Sequence, residues 1–393
     1  MLGSLMSLRL FLVGLSVAGL VQQSDAAAPS FTIPVKFLPD YALLIEVRVN
    51  GIGPFLCQFD SGAGTSFVLD SGKAKHAGLQ PTGTGTSAGV GPAKINDERL
   101  PSAKLDLGSV QIANQTVVML PTGPEDCIFG SGILKEFVVQ IDYVTATIRL
   151  YEPQTFTAPA DAISVPFTLS AGSPIVDSVI SFDSSDRVGA KLLVDTAVRR
   201  FLALSKGFTD SQGILGGARK IVKPPFIAGG TGGTIDLLAT RLEALSIGSA
   251  RVDGPIALLI RTASGASRKE PDGYLGNEFF RRFLLTLDYP HMRLFLEPNQ
   301  HYHDAPAPYD GSGLGIEGTG GRLVVTAIVP ASAAAQEGIA IGDVLVSLDG
   351  EPASGLTPER IQEKFCRLSG ESIVQVRRGD HVLTYTLKLR PVL

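Results

Sequence analysis

The chain repeats itself, and that repeat limits what it can fold into. The run Phe55-Leu56-Cys57-Gln58-Phe59 ends in Asp60-Ser61-Gly62-Ala63, and Ala190-Lys191-Leu192-Leu193-Val194 ends in Asp195-Thr196-Ala197-Val198. Leu105-Asp106-Leu107-Gly108 returns as Leu245-Ser246-Ile247-Gly248. Asp126-Cys127-Ile128-Phe129-Gly130, with Phe137 to Asp142-Tyr143, returns as Asp272-Gly273-Tyr274-Leu275-Gly276, with Phe283 to Asp288-Tyr289. The separations grow along the chain, from 135 through 140 to 146 residues. Three motifs kept in order with slowly growing spacing describe one duplicated unit with extra loop residues in its second copy. Such a unit is far too long for a solenoid repeat. Each copy is therefore read as a lobe.

Inside each copy, apolar residues alternate with period two over short runs, as in Ala42-Leu43-Leu44-Ile45-Glu46-Val47-Arg48-Val49 and Thr145-Ala146-Thr147-Ile148-Arg149-Leu150. Asn50-Gly51 is a strong hairpin signal, and 44 Gly with 25 Pro supply many further turns. Only short helical stretches stand out, at 134–137 and 278–283. Both lobes are expected to be mostly β.

The balance of 34 basic against 38 acidic residues leaves a net charge of −4, which excludes a basic footprint for nucleic acid. With 44% hydrophobic residues, 393 residues can bury sizeable cores. Three Cys without a CxxC pair and five scattered His offer no metal centre, and no cofactor is expected. The glycines at 229–233 are not followed by Gly-Lys-Ser/Thr, so no phosphate loop is expected there.

Residues 1–28 read as a targeting segment. Arg9 precedes the apolar run 10–21, then small residues lead through Ser24-Asp25-Ala26-Ala27-Ala28 to Pro29. Twelve apolar residues are short for a spanning helix and fit a secretory signal cleaved after Ala26. The expected mature protein is secreted or periplasmic, with no membrane span.

A strand entering Asp-Ser/Thr-Gly, then a Gly-rich hairpin, then an apolar-apolar-Gly strand, resembles the aspartic proteases. The carrying residues are Asp60-Ser61-Gly62, Ile128-Phe129-Gly130, Asp195-Thr196 and Tyr274-Leu275-Gly276. The stretch from Gly273 to Tyr289 is especially similar to the retropepsin-like subgroup. The resemblance spans residues 32–298 and implies a bilobal double β-barrel with the cleft between the lobes. It implies Asp60 and Asp195 as a catalytic pair sharing one proton around one water, because like charges that close cannot both ionise. Ser61, Gly62, Thr196 and Ala197 would support the pair. Ala197 departs from the family, which has Gly there, and puts a Cβ at a crowded turn. Flaps are expected at Gly85, Gly89 and Gly91 in lobe 1 and at Gly229, Gly230, Gly232 and Gly233 in lobe 2. Asp126, Asp272, Asp142 and Asp288 are read as turn and strand-end residues. Cys57 and Cys127 are expected as buried free thiols, although the family places their strands side by side, where a pair can form.

Residues 299–310 are polar and Pro-rich and read as a linker, with His301 and His303 solvated. From Gly311 the pattern changes: a strand region at Gly313-Leu314-Gly315-Ile316, an apolar run at 323–329, a short helix at 330–338, Gly342-Asp343-Val344-Leu345 leading to Asp349-Gly350, a helix at 357–368 containing Cys366, and strands at 372–377 and 382–389. This is similar to a PDZ domain, a small α/β module. The resemblance makes Gly313, Leu314, Gly315 and Ile316 a loop whose amides take the C-terminal carboxylate of a peptide.

The expected organisation is a signal peptide (1–28), lobe 1 (29–153), lobe 2 (154–298), a linker (299–310) and a PDZ-like domain (311–393). The expected activity is aspartic endopeptidase hydrolysis of a peptide or protein substrate. The alternative is a catalytically impaired scaffold that holds peptides in the same cleft. A serine protease fits poorly: no Gly-x-Ser-x-Gly loop appears, and His76 reads as a surface residue.

Overall fold

The computed structural model describes residues 28–38, 41–120, 126–216, 219–226, 228–265, 270–305, 309–366 and 369–393. The expected signal segment falls almost entirely on residues 1–27, outside the described residues.

The chain is mainly β, with two lobes of matching strand pairing followed by a smaller PDZ-like domain. In lobe 1 the strand Ile52–Phe59 pairs in parallel with Cys127–Phe129, which pairs antiparallel with Phe67–Asp70. Lobe 2 repeats this: Arg187–Val194 pairs in parallel with Gly273–Leu275, which pairs antiparallel with Leu202–Leu204. The helices Ser71–His76 and Lys206–Ser211, missed in the sequence, occupy corresponding places. Each is capped by a side chain of the residue before it, Asp70 or Ser205, on free amides of the first turn. The expected short helices appear as Gly132–Glu136 and Asn277–Phe280. The 140-residue repeat is a turn in both copies, where Gly108 (φ 66°) and Gly248 (φ 57°) adopt the left-handed conformation that connects adjacent strands.

One sheet joins the lobes. Phe31–Pro34, Thr147–Tyr151, Val138–Asp142, Phe283–Asp288, Arg293–Pro298 and Ile163–Ser170 lie side by side in that order. At its centre Gln140 faces Thr286 across the ladder, and Gln140 Nε2 donates to Thr286 Oγ1 at 3.2 Å. Those residues are each other's counterparts in the repeat, so the pseudo-twofold axis of the duplication passes between them. One continuous apolar core runs through both lobes, including Phe59, Phe129, Val194, Leu275, Ile141 and Leu287. The lobes share that core, so they fold against each other rather than as separate domains.

The PDZ domain orders Leu314–Thr319, Arg322–Ile328, Val344–Leu348, Gly370–Arg378 and His381–Leu389 into a sheet with its own core. Its helices Ala333–Glu337 and Pro358–Phe365 begin at Ser332 and Thr357 caps, and the first ends at Gly338 (φ 81°). The free thiol of Cys366 follows the second helix, and burial pushes its pKa up to about 11. The segment before this domain is less free than a linker. Arg282, 1% exposed, donates through Nη1 to the carbonyls of His301, Tyr302 and Asp304. A buried guanidinium needs those acceptors, so it pins the segment.

Among the described residues, no helix is long and apolar enough to cross a membrane.

Candidate active site

Asp60 follows the buried strand Ile52–Phe59, and its amide donates to Phe129 O at 2.9 Å. Asp195 follows Arg187–Val194, and its amide donates to Leu275 O at 3.0 Å. The same backbone bond thus ends each strand, and the duplication delivers both carboxyls to the axis. They are half-buried, hydrogen-bonded to each other and electrostatically coupled.

Beneath them the loops lock together reciprocally. Ser61 N donates to Thr196 Oγ1 (2.9 Å) and Thr196 N to Ser61 Oγ (3.1 Å). Each hydroxyl then donates across the interface, Ser61 Oγ to Val194 O at 2.8 Å and Thr196 Oγ1 to Phe59 O at 2.9 Å. Ser61 and Thr196 are both fully buried. Replacing either hydroxyl would strand buried donors and acceptors, which costs about 1–3 kcal/mol for each orphaned group.

Both carboxyls titrate above the ordinary range. Burial is the first cause for each; for Asp60 the charge of Asp195 adds to it. Amides pull the other way: Gly62 N (2.8 Å) and Ala63 N (2.9 Å) on Asp60 Oδ1, Ala197 N (2.9 Å) on Asp195 Oδ1. Asp195 is pushed up to about 6, and Asp60 lies well above its usual value. The pair titrates as a unit, and its burial favours the protonated form.

The two supporting turns differ at their third position, Gly62 in lobe 1 and Ala197 in lobe 2. A Cβ at Gly62 would lie 2.6 Å from Asp195 Cγ, so the glycine is needed for close approach rather than for its φ. Its counterpart Ala197 carries a Cβ, does not adopt a positive φ, and still donates its amide to Asp195. The hallmark glycines Gly130 and Gly276 are also steric: a Cβ would meet Thr65 O at 2.1 Å and Arg200 O at 2.1 Å.

Some support residues carried no local signal. Buried Asn277 donates through Nδ2 to Thr196 O (2.6 Å) and Tyr41 O (2.9 Å) and accepts from Tyr143 Oη at 2.7 Å. Ser173 Oγ donates to Gly62 O at 2.7 Å. Tyr143 and Tyr289 were visible only as repeated aromatics; Tyr289 Oη reaches Ser61 O at 3.5 Å. The repeated aspartates hold backbone. Asp126 accepts from Leu56 N and Asp272 from Lys191 N, while Asp142 and Asp288 accept from the turns that follow them.

Cys57 and Cys127 are not free thiols: they form a disulfide. They stand directly opposite each other on adjacent parallel strands, their Cα atoms 4.5 Å apart, well within bridging distance.

The Gly-rich segments form hairpins. Gly85 lies in the strand Gly83–Ser87, with Gly89 and Gly91 in the turn beyond it; Gly229, Gly230 and Gly233 lie in the paired strands Ala228–Gly230 and Gly233–Ile235, with Gly232 at the tip. The tips meet: Gly91 N donates to Thr231 O and Ala93 N to Gly232 O, each at 3.0 Å. Only glycine fits, since a Cβ at Gly91 would stand 2.4 Å from Gly232 C. A recess of about 740 Å³ beside the lobe-1 hairpin, lined by Thr84, Thr86, Asn96 and Glu98 among others, does not reach the carboxyl pair. His76 is exposed, and among the described residues no group of three or more His, Cys, Asp or Glu could hold a metal ion.

In the PDZ domain, Gly313 lies just before the first strand, which carries Leu314, Gly315 and Ile316. The loop's amides face inward: Ser312 N and Gly313 N donate to Asp310 Oδ1 at 2.7 and 3.0 Å, and Leu314 N to Ser312 Oγ at 3.0 Å.

Residues 45–133 match the aspartyl protease family model, and residues 306–376 match the PDZ domain model. No curated protein matches the chain. Among solved structures, the aspartic proteinase from Irpex lacteus aligns with TM-score 0.46 and 12% identity, over 70% of this chain and 98% of its own.

Proposed function

We propose that this chain, an aspartic-protease-like pair of lobes joined to a PDZ domain, is an exported endopeptidase with Asp60 and Asp195 as its catalytic pair. The observation that carries the reading is the pair itself: two carboxyls from separate lobes, bonded to each other and both held above their ordinary pKa. The ionised partner takes a proton from a water as that water attacks the peptide carbonyl, and the protonated partner donates to the carbonyl oxygen. The tetrahedral product then collapses with proton transfer to the leaving nitrogen, and the pair regains one proton. The Ser61–Thr196 bonds keep the carboxyls in register during this exchange, so little reorganisation is needed. The peptide would lie beneath the two joined hairpins. Export is supported by the leader-like residues 1–28 and fits the disulfide, which persists in oxidising compartments.

Asp60→Asn removes the shared proton's partner without changing shape. Peptide cleavage should fall by about a thousandfold or more while the variant remains folded. A variant that still cleaves at the parent rate refutes the assignment. A parent protein that binds a statine-type inhibitor and peptides but never turns them over would instead be a scaffold, with Ala197 as the reason.

A further inference from the structure

Two donors of the PDZ loop are already used inside the chain, Gly313 N on Asp310 Oδ1 and Leu314 N on Ser312 Oγ. Asp310, 3% exposed, accepts from Ser312 N, Ser312 Oγ and Gly313 N through one oxygen. Beside it, the Pro225 carbonyl presses on the loop: a Cβ built at Gly315 would fall 1.9 Å from that oxygen. Pro225 belongs to lobe 2, in the short segment 221–226 that leads into the lobe-2 hairpin.

The next residue is clamped from the catalytic side. The Arg200 guanidinium lies 5.4 Å from the centre of the Phe226 ring. Arg200 follows Asp195 by five residues, and its carbonyl packs on Gly276. Around Phe226, a single apolar cluster gathers Tyr309 and Leu393 from the PDZ flanks, Ile235 from the lobe-2 hairpin and Val90 from the lobe-1 tip. Both hairpins and the PDZ domain therefore share one seat, while the tips are tied by Gly91 N to Thr231 O and Gly265 N to Gly91 O at 2.8 Å.

We infer that the PDZ domain takes the chain's own segment 221–226 as its resident ligand and through it holds the two hairpins closed over the carboxyl pair. Opening the cleft then requires this segment to leave Gly315, so hairpin motion and PDZ seating form one cooperative unit. This concerns opening alone and stands whether or not the pair turns over substrate.

Gly315→Ala in the full chain sets a methyl against the Pro225 carbonyl. Hydrogen exchange read by mass spectrometry should then quicken about tenfold or more in peptides covering 88–94 and 228–235. The strands Ile52–Phe59 and Arg187–Val194 should hold their rates. Phe226→Ala, which leaves the PDZ core untouched, should do the same and serves if the first variant does not fold. In the parent protein, peptides covering 221–226 and 228–235 should open with a common rate. Unchanged hairpin exchange in either folded variant, or unrelated rates in the parent, overturns the inference. Because exchange needs no catalysis, Asp60→Asn protein gives the same reading and separates this failure from failure of the protease assignment.

Discussion

The two lobes are copies that solve the same packing problem with different atoms. Where lobe 1 sets Cys57 opposite Cys127 and bonds them, lobe 2 sets Leu192 opposite Gly273 at the same register and fills the gap with Leu192 itself, whose Cδ2 lies 3.0 Å from where a Cβ of Gly273 would be. After the hallmark glycine, lobe 1 has Ser131, bonded to Gly64 O, and lobe 2 has Asn277, which reaches Thr196, Tyr41 and Tyr143. At the turn, lobe 1 has Gly62 and lobe 2 Ala197. What stays the same is the backbone bonding that aims the aspartates; what drifts is the side-chain support around it, a disulfide in one lobe and Leu192 and Asn277 in the other. Symmetry is maintained where hydrogen-bond geometry demands it, and packing tolerates exchange at similar volume.

The largest break in this comparison is the disulfide. Replacing Cys57 and Cys127 together by Ala should cost about 2–4 kcal/mol in denaturant unfolding, since the bond closes a loop across 70 residues of separation. A loss below about 1 kcal/mol would mean that packing alone, as in lobe 2, secures the strands. Gly62→Ala makes the two turns alike. Its methyl must displace the Asp195 carboxyl from 2.6 Å, and turnover should drop about a hundredfold, with KM moving much less. Parent-like turnover would show that the turn yields instead.

The pH response tests the pair as a unit. Both folded pKa values are raised, so the fold favours the protonated form. Its contribution is fully present below about pH 4 and is lost as pH rises through about 6. Asp195→Asn, which cannot ionise, should therefore gain on the parent by up to about 3 kcal/mol between pH 4 and pH 8, seen as a melting difference that widens with pH. A constant difference would exclude a buried Asp195 carboxyl held above its ordinary range. The smallest effect is expected from Ala197→Gly: activity within about threefold, because the amide bond to Asp195 remains, and a stability loss of about 0.5–1 kcal/mol from the freer unfolded chain. A large gain in turnover would identify Ala197 as a brake on the pair.

Much of the site was readable because it obeys local rules. An apolar alternating strand that ends in Asp and a small hydroxyl residue can be seen twice, and the hydroxyls of Ser61 and Thr196, read as support for the pair, make crossed bonds between the lobes. The PDZ elements followed from the apolar pattern and the resemblance, with boundaries moved by up to three positions; the last helix closes at Phe365. Asn277 was hidden because nothing in Gly276-Asn277-Glu278 marks it as buried; its three partners, Thr196, Tyr41 and Tyr143, lie 81 to 236 residues away. The disulfide was misread because spacing to a motif does not specify register across strands.

By itself the sequence determined the duplication, the β character of both lobes, the two aspartates and the PDZ pattern, since each is written in periodicity or in neighbouring residues. Only the tertiary structure decided which cysteines bond, that the hairpin tips join, and that Asp310 and Pro225 pack against the PDZ loop. These contacts depend on where rigid pieces come to rest. Packing them shut orients backbone carbonyls and amides of distant segments toward one another, and that orientation leaves no periodic trace in the chain.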